Sequence, residues 1–391
     1  MNNINNSKED KNYKSKNKMK KRIKVLGKSK IIENKSAKNN KIKNNINDHL
    51  NKKFKSNKIK NKLNLTNFRF KKHLIDDVAM ISGSDNKFCI FKSIDDIICI
   101  LYQNFKYSII LYNYIDNKKM VEIKNSFDFD IYSFKYFFDK INHRDLIAFY
   151  SESNLQVWDM NYLKILIDGI NIKKNYEISS TCFLEEDNKI YIAICSNKFV
   201  QQNDKIKIYD IKGNFIKELN NSDDCIICSE TYFDNNLSKN YIVTGNYGYS
   251  KSYDFKENKL YHIYKDGENN ISLFNKGRPT IIINGKNEIV NLIESSWDGY
   301  IRVWNFHSGL LLKKLFLING RLGGICLWNS KYIFVGCENK TIKLIDLRNN
   351  LVIKELESKD DYFCLKIFFF PKYGKCLLSL GFGCKIKLWS N

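Results

Sequence analysis

The pair Cys225-Ile226-Ile227-Cys228 has the spacing of a metal-chelating or redox dithiol. A structural zinc site needs four ligands, and no second pair stands at a zinc-ribbon distance in this chain. The two isoleucines between the thiols fit a β-strand better than a knuckle. His143-Arg144-Asp145-Leu146 has the order of a phosphoryl-transfer catalytic loop. Such a loop needs an Asn five residues after its Asp to hold Mg²⁺. Tyr150 stands there instead, and the chain has no Gly-rich phosphate loop and no Asp-Phe-Gly. The stretch therefore reads as a polar turn ahead of a strand from Leu146 to Tyr150. The five histidines, at 49, 73, 143, 262 and 307, make no metal-ligand spacing with one another or with a cysteine. Asp-Asp pairs at 76–77, 95–96, 223–224 and 360–361 precede apolar runs and read as solvated strand entries. No nucleophile elbow and no Walker-type loop is present. The expectation is no catalytic residue, no metal ligand, no cofactor and no enzymatic activity.

The elements that would position any site repeat along the chain. Leu292-Ile293-Glu294-Ser295-Ser296-Trp297-Asp298-Gly299-Tyr300-Ile301-Arg302-Val303-Trp304-Asn305 reads as strand, tight turn, strand. Asp-Gly between two β-rich runs is a strong hairpin signal, because Gly tolerates positive φ and Asp bonds its own turn backbone. Aligned on Trp304, weaker copies place anchors at Tyr112, Trp158, Tyr209, Tyr253, Ile345 and Trp389. The successive spacings are 46, 51, 44, 51, 41 and 44 residues. A period of ~40–45 residues with four short strands per unit is the signature of a β-propeller. The span from 73 to 391 accommodates seven such units, so the predicted fold is an all-β, seven-bladed β-propeller.

The Trp297-to-Asn305 motif, the Asp that follows several anchors (Asp159, Asp210, Asp254 and Asp346) and the turn Phe370-Pro371-Lys372-Tyr373-Gly374-Lys375 resemble the WD-repeat family. The resemblance covers residues 73–391. The Gly-His pair that usually precedes each first strand in that family is missing. The family's buried network joins a His, a Ser or Thr, the turn Asp and the Trp; here Ser295 or Ser296, Asp298 and Trp304 are the residues that could supply parts of it. Asp298, Gly299, Trp304, Trp158 and Trp389, with the four aspartates above, are the expected structural repeat positions. The last unit stops after its third strand. Its fourth is expected from the N-terminal side, with the stretch from Leu74 to Ile81 closing the ring against the strand that ends at Trp389, because an open propeller leaves a long unpaired edge.

The resemblance implies a non-catalytic scaffold or adaptor that docks other proteins or peptides on one face. In that family the turn between second and third strands lies on the same side as the loops joining successive blades. That turn contains Tyr247, Trp297 and Phe382, and Arg321 lies in the loop entering the sixth unit. Turns favour Gly, Asn, Asp and Ser, whereas aromatics and Arg are enriched at binding hot spots. These four residues are the candidate protein-binding site; the alternative is that each ring folds back on its own blade or plugs the channel. The paired Arg-Arg-Gly used by related propellers for phosphoinositides is absent, with only isolated Gly277-Arg278 and Gly320-Arg321. No membrane partner and no small-molecule substrate are expected.

The formal charge of +23 is unevenly placed. Residues 1–72 hold 24 basic and 4 acidic side chains, a net of +20, which leaves only +3 for the rest. The Lys- and Asn-rich composition of this segment gives too little apolar surface to offset its ordering entropy, so a disordered basic tail is expected over 1–72. Its densest cluster, Lys18-Met19-Lys20-Lys21-Arg22-Ile23-Lys24, resembles a nuclear-import signal or an RNA-contacting arm. Compositional bias toward Asn, Lys and Ile is the alternative. Eleven scattered cysteines, an odd number with no apolar leader, fit reduced thiols in the cytoplasm or nucleus. A nuclear or nucleolar assembly factor that contacts RNA through the tail is thus the second functional class. An enzyme with polar groups converging in the channel is the third.

Overall fold

Alternation of apolar and polar residues becomes, in space, a ring of sandwiched sheets. The computed structural model describes residues 67–79, 87–124, 130–152, 154–170, 176–198, 205–219, 226–246, 248–266, 278–284, 289–357 and 360–391. These residues form 28 strands and no helix, arranged as seven antiparallel four-stranded sheets. Strand β1 (Arg69–Ile75) comes first in the chain but belongs to the last blade. Blade 1 is β2 (Phe88–Lys92), β3 (Ile98–Gln103), β4 (Ser108–Asn113) and β5 (Lys118–Lys124). Blade 2 is β6 (Ser133–Asp139), β7 (Arg144–Tyr150), β8 (Leu155–Asp159) and β9 (Lys164–Asp168). Blade 3 is β10 (Tyr176–Glu186), β11 (Lys189–Lys198), β12 (Lys205–Asp210) and β13 (Phe215–Glu218). Blade 4 is β14 (Ile226–Asp234), β15 (Lys239–Asn246), β16 (Tyr249–Asp254) and β17 (Lys259–Lys265). Blade 5 is β18 (Arg278–Asn284), β19 (Ile289–Ser295), β20 (Tyr300–Asn305) and β21 (Leu311–Phe316). Blade 6 is β22 (Leu322–Asn329), β23 (Tyr332–Cys337), β24 (Thr341–Asp346) and β25 (Leu351–Glu357). Blade 7 is β26 (Tyr362–Phe370), β27 (Gly374–Gly381) and β28 (Ile386–Ser390), completed by β1. First strands of neighbouring blades touch around the whole circle, from β2 and β6 to β26 and back to β2. They line the centre, and the fourth strands form the rim. The seven-bladed propeller read from the sequence is the observed fold.

Burial explains why second strands such as β3 and β23 read as nearly continuous apolar runs. A blade is covered on both faces, so successive residues face opposite neighbours. In β3, Ile98, Ile100 and Tyr102 pack with blade 7, while Cys99 and Leu101 pack with blade 2. Among the described residues, the core is divided into seven apolar clusters, one at each blade–blade interface. The quasi-continuous core implied by repetition is therefore a circle of layers rather than a single centre.

The Asp or Asn after six of the seven anchors has a local role. Its side chain accepts the backbone N–H two or three residues later and builds the turn into the fourth strand. Asp159 accepts from Asn161 at 3.1 Å, Asp210 from Lys212 at 2.9 Å, Asp254 from Glu257 at 2.9 Å and Asp346 from Arg348 at 2.9 Å. Asn113 and Asn305 do the same for Ile115 and His307.

Ring closure comes from the N-terminal side, but through an earlier segment than Leu74 to Ile81. Strand β1 pairs antiparallel with β28, from Arg69 opposite Ser390 to Ile75 opposite Ile386. Beyond it, Val78 forms no further strand, but bridges to Asn104 and donates its N–H to the Cys384 carbonyl at 3.1 Å. The strand thus begins four residues before position 73. At the rim of the blade burial is incomplete, so the strand accepts the half-buried Lys71 and Lys72, which in sequence read as the end of the basic tail. Phe68, just ahead of it, is buried against Trp328 and Phe334, with ring centroids 5.5 and 5.1 Å away. Among the described residues no helix is long and apolar enough to cross a membrane.

Candidate functional site

The turn between β19 and β20 is built on its own sequence. Gly299 donates its N–H to Ser296 at 3.2 Å, Ser296 to the Tyr300 carbonyl at 3.1 Å, and Tyr300 to Asp298 Oδ1 at 3.2 Å. Gly299 has φ +82°, a conformation in which a Cβ is strained. The loop entering blade 6 lies directly on this turn. Leu317 donates to the Gly299 carbonyl at 2.9 Å and Leu322 to the Ser296 carbonyl at 3.2 Å. A Cβ on Gly299 would meet the Ile318 carbonyl oxygen at 1.9 Å. The same loop delivers Arg321, whose guanidinium sits 4.4 Å from the centroid of the Trp297 ring. Its backbone is fixed in turn: Arg321 N–H donates to Glu338 Oε2 at 2.8 Å, and Glu338 N–H donates to the Arg321 carbonyl at 2.9 Å. Trp297 is half-buried and Arg321 exposed.

Trp297 and Arg321 are thus brought together. Phe382 stands on the corresponding turn of blade 7, 49 % exposed, its N–H donated to the Asp361 carbonyl at 3.3 Å. Tyr247 lies outside the described residues. Two further aromatics on this face escaped the sequence reading. Phe105 and Tyr107, in the blade 1 turn, are 59 % and 44 % exposed. The signal was available. Phe105 precedes Tyr112 by seven residues, as Trp297 precedes Trp304 and Phe382 precedes Trp389. That turn is held by Asn104, whose Oδ1 accepts from the N–H groups of Lys106 at 3.0 Å and Ser108 at 2.9 Å.

Beneath the blade 5 turn, the expected Ser–Asp–Trp network is replaced by a charge cluster. Ser295 donates to the Gly323 carbonyl of the next blade at 3.1 Å. Asp298 receives Arg302 at 2.5 Å, Arg302 also reaches Asp266 at 3.2 Å, and Lys314 reaches the same carboxylate at 2.8 Å. Glu294 is buried and accepts from Ser250 Oγ of blade 4 at 2.6 Å. Burial raises its carboxyl above the usual range, opposed by Ser250 and Arg302. The Trp304 indole lies near this carboxyl but outside hydrogen-bonding geometry. A Trp–Ser pair of the expected kind occurs in blade 7, where Trp389 donates to Ser379 Oγ at 2.8 Å; Trp158 donates instead to Gln156 Oε1 at 3.0 Å.

The other motifs resolve into structure. Arg144 pairs with Asp139 at 2.7 Å, and Asp145 accepts from Tyr136 at 2.9 Å and from the Ile94 N–H at 3.1 Å. Both aspartates tie turns to neighbouring strands. Among the first strands whose side chains are described, all six place a polar or thiol residue at one register: Cys89, Lys135, Cys182, Glu230, Cys326 and Lys366. Lys135 donates to Glu230 at 2.7 Å and to the Ser229 carbonyl at 3.2 Å. Burial pushes the Cys89 and Cys182 thiols up to about 12, so they stay protonated and weakly nucleophilic at neutral pH. Among the described residues no three His, Cys, Asp or Glu side chains converge to hold a metal ion. Cys225 and the tail cluster Lys18, Lys20, Lys21, Arg22 and Lys24 lie outside the described residues.

Comparison with known proteins adds the fold. Two crystal structures of BBS1N in complex with ARL6DN, one soaked with lead and one with mercury, superpose with TM-scores of 0.61 and 0.62. Identity is 9 % in each case, over 83 % of this chain and 96 % of the other. No family model matches the chain, and no curated protein matches it.

Proposed function

We propose that the chain is a non-catalytic, WD-repeat-like scaffold that docks other proteins or peptides on the face carrying Phe105, Trp297, Phe382 and Arg321. The observation that carries this reading is positional. Three aromatics occupy one register, seven residues before their anchors, in turns where small polar residues are the norm. Phe105 and Phe382 are about half exposed, and Trp297 is braced by an exposed Arg. Protein hot spots combine these residue types. The fold match agrees in kind, since BBS1N is a protein seen in complex with another protein, ARL6DN. Protonated buried thiols and carboxylates engaged in turns weigh against catalysis. The test uses a partner recovered by affinity purification from the native cell. Trp297→Ala and Phe382→Ala are each expected to weaken it by ~1–3 kcal/mol in a titration, with the melting transition unchanged. Lower stability at undiminished affinity would show that these rings belong to the core and would sink the reading.

A second reading concerns the tail, and the confinement of +20 of the +23 charge to residues 1–72 favours it. On this reading the Lys18–Lys24 cluster directs nuclear accumulation, and the tail contacts RNA. A reporter fused to residues 1–72 is expected in the nucleus, and Ala at Lys20, Lys21 and Arg22 is expected to return it to the cytoplasm. A diffuse signal from the unmutated fusion rejects the import role. RNA affinity held by the tail would fall steeply with salt, because each neutralised phosphate releases counterions.

A further inference from the structure

Three arginines in this propeller are committed to nearby carboxylates. Arg144 pairs with Asp139, Arg302 with Asp298 and Asp266, and Arg348 with Asp346 at 2.9 Å. Arg321 differs. Its guanidinium makes no ion pair and no hydrogen bond with any described residue, yet its place is fixed at both ends. The backbone is clamped by two hydrogen bonds to Glu338, and the head group is stacked on Trp297. Stacking uses a face of the planar group and leaves its five in-plane N–H donors available. An exposed Arg normally loses rotamer freedom on binding; one already seated on an indole loses less. We infer that Arg321 receives the carboxylate of an acidic side chain on a docked protein segment, with Trp297 as the apolar wall beside it. This deepens the docking reading above and rests on it.

The surroundings select a carboxylate over a phosphate. Only one guanidinium is offered, whose single charge balances a carboxylate in a bidentate fork but not a phosphate of nearly two charges. Glu338 stands alongside, and Asp361 on the blade 7 loop feels both Glu338 and Lys340. Two carboxylates near the site oppose a phosphate carrying nearly two negative charges more strongly than a singly charged acid.

The experiment is selection of a random peptide library on the full-length chain, followed by titration of the recovered peptides. Each is expected to carry Asp or Glu next to an apolar residue. Changing that acid to its amide should weaken binding about tenfold or more, the loss typical of a charged hydrogen bond. Arg321→Gln should cause the same loss, and the two changes together should cost no more than either alone. Arg321→Lys, which keeps the charge but not the fork, should recover only a minor part. All variants carry the same basic tail, so its attraction for a given peptide cancels between Arg321→Gln and the parent, the smaller loss on acid-to-amide exchange in Arg321→Gln than in the parent isolates the contact, and an unchanged melting temperature guards against unfolding. Recovered peptides that lack an acid, or that bind Arg321→Gln as tightly as the parent, overturn the inference; if Trp297→Ala or Phe382→Ala still weakens them, the docking face stands without it. Peptides indifferent to all of these changes, or none recovered, overturn both. Tighter binding when phosphoserine replaces the acid overturns the assignment to a carboxylate.

Discussion

Removal of residues 1–76 is expected to abolish cooperative folding and drive aggregation, whereas removal of 1–66 should leave the melting transition within a few degrees of the full chain. The first truncation takes away β1, the outermost strand of blade 7. Its register runs along the whole of β28, so its loss exposes the N–H and C=O groups of a strand that is otherwise buried. An exposed edge of this kind templates pairing with other chains. Apolar burial goes with it. Phe68 and Ile75 are 1 % and 5 % exposed, and fully burying such a side chain is worth about 1.5–3 kcal/mol. Phe68 also closes an aromatic cluster with Trp328 and Phe334 that joins blade 7 to blade 6. With Trp389 and Leu388 uncovered as well, the total approaches the ~5–15 kcal/mol by which a typical domain is stable. Phe68→Ala in the full chain isolates one component, with an expected loss of about 3–5 kcal/mol. Circular dichroism melts and size-exclusion profiles decide the matter. A 1–76 truncation that stays monomeric and melts like the 1–66 truncation would show that blade 7 is stable with three strands.

The parts of this fold that were legible in the sequence are those set by residues near one another in the chain. Each third strand carries an aromatic or Ile anchor followed, in most units, by Asp or Asn. Both are demanded locally, the first by burial between blades and the second by the turn that follows. The closing strand was legible as a necessity but not in position, because a half-buried rim strand tolerates Lys71 and Lys72, and composition then assigns them to the tail. The blade 5 network failed for a different reason. Glu294 stands two residues beyond the partner of its anchor, where Ser379 stands in blade 7. Its stabilising partner Ser250 comes from the neighbouring blade, and nothing in the local sequence marks a pairing over that distance. The candidate site divides in the same way. Counting from the anchors puts Trp297 and Phe382 in turns and Arg321 in a loop on their side. The same count reaches Phe105, but Asn104-Phe105-Lys106-Tyr107 lacks the Gly found beside Trp297 and Phe382: Tyr107 takes the place of Gly299 at φ +60°, in a turn that Asn104 holds by bonding two N–H groups. That Arg321 stacks on Trp297 depends on one loop lying across another, which only the folded chain reveals.

That crossing makes Gly299→Ala the most damaging small substitution expected on the face proposed for docking. Two independent costs coincide there. At φ +82° an L side chain occupies the left-handed region, at about 1–2 kcal/mol. The added methyl would also lie 1.9 Å from the Ile318 carbonyl oxygen, which is backbone and has no rotamer to change. Overpacking of this kind costs typically about 1–3 kcal/mol. Relief requires the loop entering blade 6 to lift, and with it the hydrogen bonds from Leu317 to Gly299 and from Leu322 to Ser296. Gly374→Ala supplies the control. Its φ of +69° carries the same conformational cost, but a methyl added there meets nothing within 4 Å. Urea denaturation is expected to give a loss of about 1–2 kcal/mol for Gly374→Ala and about 2–5 kcal/mol for Gly299→Ala. The binding readout should separate them further. Because the lifted loop carries Arg321 away from Trp297, Gly299→Ala should weaken a docked partner even under conditions where the chain remains folded, and Gly374→Ala should not. Equal losses of stability at the two glycines would show that the contact with Ile318 relaxes at no cost, and undiminished partner affinity in Gly299→Ala would show that the stacked pair is not held by that crossing.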